Sequence, residues 1–65
     1  MIQDDNELAV TRERIDYFLT LLEKLRANSN PDEFPLVAGG YRAEVERMQK
    51  EVLDYLTQPV VAEAG

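Results

Sequence analysis

Apolar side chains at Ile15, Phe18, Leu22 and Leu25 follow one another at intervals of three, four and three residues. That rhythm returns each of them to one side of a helix, whereas a half-buried strand requires strict alternation. It predicts a first helix over residues 11–27, with residues 1–10 as an N-terminal arm. Thr11 serves as the expected N-cap, its hydroxyl accepting from a first-turn N–H, and Val10 and Ile15 have the spacing of a hydrophobic staple. Leu8 lies seven residues before Ile15 and continues the same stripe if the helix begins nearer Asn6. The far end is set by Asn28-Ser29-Asn30-Pro31-Asp32, a cluster of side chains that compete with the helix for backbone hydrogen bonds.

The rhythm resumes at Ala38, Tyr41, Val45, Met48, Val52 and Tyr55. A proline is welcome where its missing N–H has no partner. The second helix is therefore expected to start with Pro35 in its first turn and to run over residues 35–58, ending before Pro59. Residues 28–34 form the turn, with Phe34 plugging the hairpin end. Gly39 and Gly40 fall inside this helix, where two glycines cost roughly 2 kcal/mol relative to alanine. The expected explanation is close approach of a neighbouring backbone or side chain, the alternative a kink. A phosphate cradle is disfavoured, because no strand precedes the pair and no lysine follows. Residues 59–65 show no periodicity and are read as a disordered tail.

Not every apolar residue fits the two seams. Leu19 and Leu21 lie off the first, and Leu36, Val37, Leu53 and Leu56 lie off the second. A lone hairpin buries one stripe per helix, so the surplus requires another surface. The economical fold is an all-α antiparallel hairpin that dimerises into a four-helix bundle, since self-complementary two-fold contacts are the commonest soluble assembly. The core or dimer interface is then expected at Ile15, Phe18, Leu19, Leu22, Leu25, Phe34, Gly39, Gly40, Tyr41, Val45, Met48, Val52, Tyr55 and Leu56. Arg42 with Glu46, Glu46 with Lys50, and Arg47 with Glu51 stand at i,i+4, the pattern of a solvated outer face.

Composition sharpens this picture. Sixty-five residues make one small domain or part of one, and the absence of Cys and His removes disulfides, thiolate zinc and imidazole ligands as ways of stabilising it. Self-association is the remaining device. Thirteen acidic against seven basic residues leave a net charge of -6. That balance argues against direct nucleic-acid binding, which needs clustered Lys and Arg, and favours solubility or a basic partner. No apolar run is long enough to span a bilayer, and Met1-Ile2-Gln3-Asp4-Asp5 lacks the basic start of a signal peptide, so the chain is expected in the cytoplasm without membrane contact.

Candidate chemistry is sparse. Nucleophilic catalysis by Ser29, the single serine, lacks a histidine base. Bundle di-metal sites need Glu-x-x-His, so Glu44 with Glu51 and Glu13 with Asp16 are read as solvated acids. Tyr41 and Tyr55 fall on the seam and are expected to fill core or interface, while Tyr17, beside Phe18, is the partner-facing candidate. No enzyme activity, cofactor or metal is expected.

Glu7-Leu8-Ala9-Val10-Thr11 leading into Arg12 to Leu25, a Pro-bearing turn, and the ending Glu51-Val52-Leu53-Asp54-Tyr55-Leu56 carry a resemblance. Over residues 2–57 the chain resembles the helical-hairpin segment that precedes helix-turn-helix domains in some bacterial antitoxin-type regulators. Arg14 stands where that pattern places a capping Gln or Glu. The resemblance implies a bacterial oligomerisation or toxin-contacting module without its own DNA reader. Two functions follow as expectations: a homo-oligomeric protein–protein interaction module, or a regulator masking a basic toxin surface.

Overall fold

The computed structural model describes residues 1–59. Two helices of equal length, α1 (Asp5–Asn28) and α2 (Phe34–Thr57), pack against each other as a hairpin. There is no strand among the described residues. The expected tail, apart from Pro59, lies outside the described residues.

α1 begins six residues before the position expected from Thr11. Asp4 is the N-cap: its Oδ1 accepts from the Glu7 N–H at 2.8 Å, and Glu7 Oε2 accepts from the Gln3 N–H at 2.8 Å. This reciprocal arrangement satisfies two backbone donors at the exposed helix end. Asp5 and Glu7 also place negative charge in the first turn, and Arg26 places positive charge in the last, as the helix dipole favours. Thr11 is therefore interior to the helix rather than its cap, and most of the expected arm is helical. The Leu8 stripe is helical as well, and Leu8 is half-buried.

The turn covers residues 29–33. Asn30 organises it: its Oδ1 accepts from the Asp32 N–H at 2.9 Å, and its carbonyl accepts from the N–H groups of Glu33 and Phe34, both at 2.9 Å. α2 starts one residue earlier than expected, at Phe34, with Pro35 inside the first turn where no donor is missed. It ends at Thr57, one residue short of the expected Gln58, which is instead the C-cap.

Gly39 and Gly40 lie in an unbroken α2. Neither adopts a positive φ, and a methyl group on either would meet nothing within 4 Å. Within the hairpin, then, the expected close approach is absent, and so is the break. At this point in the helix the chain faces open space.

The core is narrow. Ile15, Val45 and Met48 are its buried centre, and Phe18, Leu22 and Val52 pack around them. Ile2 is also buried, brought in by the N-terminal segment. Met48 retains only 3% exposure, yet no large side chain among the described residues is fully enclosed.

Candidate functional site

The seam between the helices has two flanks. On one, the N-terminal segment and α2 form a polar cover. The Met1 ammonium lies 2.8 Å from Glu51 Oε1, and Arg47 bridges Glu51 and Glu44, each at 2.8 Å. The Tyr55 hydroxyl donates to Asp5 Oδ1 at 2.8 Å, tying the start of α1 to the end of α2. Met1, Ile2, Val10, Arg14, Arg47 and Met48 border the groove on this side.

These contacts set the charge states. The hydrogen bond from the Met1 ammonium, with the charge of that group and of Arg47, holds the Glu51 carboxyl below the usual carboxylate range, against partial burial and Asp54. Tyr55 moves upward, because its hydrogen bond to Asp5, then burial, then the charges of Asp5, Asp4 and Glu7 all disfavour the phenolate. Glu44 and Glu51 raise Arg47, chiefly through the Glu44 hydrogen bond, and Asp54 raises Lys50 in the same way.

On the other flank the groove is open and apolar. Towards the turn it is lined by Leu19, Leu22, Phe34, Pro35, Ala38 and Gly39. Further along, Ile15, Val52 and Leu53 continue it. Leu53 is 61% exposed and Leu56 57% exposed. The charged residues on its rim are Arg12, Arg26 and Arg42 against Asp16 and Glu23. This flank is therefore nearly neutral in a chain of net charge -6.

The fourteen residues expected at core or interface divide accordingly. Ile15, Val45 and Met48 are buried, and Phe18, Leu22 and Val52 pack on them. Leu25, Phe34, Tyr41 and Tyr55 are half-buried, with the Phe18 and Tyr41 rings 5.7 Å apart. Leu19, Leu56, Gly39 and Gly40 are exposed and take no part in the hairpin core. Tyr17 is exposed, as expected of a residue off the seam, with its ring 5.6 Å from that of Phe18. Arg42 pairs with Glu46 and Arg47 with Glu51, but Lys50 turns to Asp54 at 2.7 Å rather than back to Glu46, whose carboxylate Arg42 already holds.

Two features escaped the sequence reading. Ile2 is a core residue, recruited by a contact between the ends of the chain segment that no periodicity announces. The Asp4-x-x-Glu7 cap is a local signal in the sequence, and it prevails over Thr11 as the start of α1. Among the described residues no cluster of three acidic side chains is disposed to hold a metal ion, and no helix is long and apolar enough to cross a membrane. Comparison with protein-family models, curated proteins and solved structures finds no match to this chain.

Proposed function

We propose that this chain is a non-enzymatic, cytoplasmic interaction module whose hairpins associate in pairs as a four-helix bundle. One observation carries the reading: the hairpin's core is a few side chains wide, while Leu19, Leu36, Val37, Leu53 and Leu56 stand exposed along the same two helices. A domain of this size supplies little net stability from its own core, and without disulfide or metal the remaining means is a second surface. Sedimentation equilibrium at micromolar concentration tests it. The expected mass is twice that of the chain, and a monomer that unfolds cooperatively at a concentration-independent midpoint refutes the bundle.

The acidic balance supports a second reading, in which the hairpin masks a basic protein surface in the manner of an antitoxin. Its support is the net charge of -6, which steers basic partners. A salt-sensitive complex with a basic protein that displaces the second hairpin would favour it over simple self-association.

A further inference from the structure

Resting on the reading of the chain as a self-associating hairpin, we propose that the open flank, centred on Leu19, Ala38 and Leu53, is the surface that binds a second copy. The two hairpins lie face to face and antiparallel, about a two-fold axis perpendicular to the helices.

Size is the first argument. Each helix of 24 residues is about 36 Å long, and two helices side by side are about 20 Å wide, so one flank offers roughly 700 Å². A stable interface takes about 800 Å² from each partner. A second hairpin of the same length covers this flank completely, whereas a single helix would leave half of it wet.

Charge is the second. Two chains of net charge -6 repel over most of their surfaces, but this flank carries Arg12, Arg26 and Arg42 against Asp16 and Glu23. On the opposite flank, by contrast, Arg47, Glu44 and Glu51 are already committed to one another. The open flank is therefore the less acidic surface through which two copies can approach.

Self-complementarity is the third, and it selects the axis. A two-fold through the midpoint of α2, between Val45 and Glu46, places Leu53 opposite the partner's Ala38, Leu56 opposite the partner's Pro35, and Val52 opposite the partner's Gly39. Large side chains from one end thus meet small ones at the other. The open space above Gly39 is where the partner's Val52 comes to lie, which gives that glycine the close neighbour it lacks in the hairpin. The same axis through the midpoint of α1 brings Arg12 opposite the partner's position 21, two residues or about 3 Å along the axis from the partner's Glu23. An axis parallel to the helices would instead set turn against turn, with Leu56 opposite the partner's Asn6 and Leu53 opposite the partner's Ala9, and would lose the match of each end of α2 with the other.

The chain has no cysteine, so single-cysteine variants report the arrangement directly. A mixture of Ala38→Cys and Leu53→Cys proteins, treated with a bifunctional thiol reagent shorter than 10 Å, is expected to give the mixed cross-linked dimer. Leu53→Cys alone should give none, its two copies being about 22 Å apart at 1.5 Å per residue. Leu53→Lys is expected to weaken the dimer by about tenfold or more while circular dichroism shows the helices retained. Arg12→Glu should weaken it, and adding Glu23→Arg should restore it; the two residues stand eleven apart on one helix, so the rescue cannot arise within a hairpin. A dimer that persists unchanged in Leu53→Lys, or that cross-links through other positions but not between 38 and 53, overturns this arrangement and leaves self-association standing. A monomer at every concentration overturns both.

Discussion

The two flanks of the same seam differ in how their polar groups are used. On the covered flank, Glu51 accepts from the Met1 ammonium and Arg47, and Tyr55 donates to Asp5, so the ends of the hairpin are joined and Ile2 is carried into the core. On the open flank the described ion pair nearest the groove is Arg42 with Glu46, along α2 alone, and leucines stand in solvent beside it. One flank is covered within a single chain. The other has the apolar content of an interior and the exposure of a surface, and that contrast is the ground for proposing a second copy against it.

The contrast can be broken by substitution on each side. The largest expected effect is at the shared core: Met48→Ala removes the least exposed side chain of the described core and should cost about 2 to 5 kcal/mol. Urea denaturation should show this loss at any protein concentration. Leu22, another seam position, packs against the Ile15, Val45 and Met48 cluster and is only partly buried, so Leu22→Ala should fall below Met48→Ala in the same experiment.

At the covered flank, Asp4→Ala removes the cap of α1 and should cost about 1 kcal/mol. Amide hydrogen exchange should localise the loss to residues 5–10, where the N–H groups released by the missing cap begin. If exchange there is unchanged, Asp4 is not what starts the helix. On the outer side of α2, Gly40 does not line the open groove and has room for a methyl group. Gly40→Ala should therefore stabilise by about 0.4 to 1 kcal/mol by restricting the unfolded chain, which chemical denaturation measures. This reverses the sign expected from close packing.

Titration gives the smallest effect and the sharpest view of the covered flank. The Glu51 carboxyl is held below its ordinary value of 4.5, so its contribution is present above that value and is lost as pH falls through the lower folded one. Glu51→Gln should flatten the acid limb of the stability curve. Tyr55 has the opposite sense: with its folded value raised by Asp5, its contribution is present below the ordinary phenol range and disappears as pH rises through the folded one. Tyr55→Phe should remove the alkaline limb while leaving the acid limb in place, and a curve altered at neither end would mean that these contacts do not join the helix ends in solution.

The seven-residue rhythm of apolar positions determined two helices, their antiparallel pairing through a short polar turn, and the seam on which Ile15, Val45 and Met48 lie, because helical periodicity alone decides which side chains share a face. Asp4-x-x-Glu7 determined the start of α1 by the same local logic of backbone donors and nearby acceptors. Tertiary structure decided the rest. Ile2 is buried, and Glu51 and Tyr55 are tied across the open end, only because the far ends of α1 and α2 meet there, over a separation of fifty residues for Asp5 and Tyr55. The glycine pair depends on tertiary structure for a related reason: within the hairpin both positions have open space, and a pattern along one chain records the periodicity of a face but not the distance to what lies across from it.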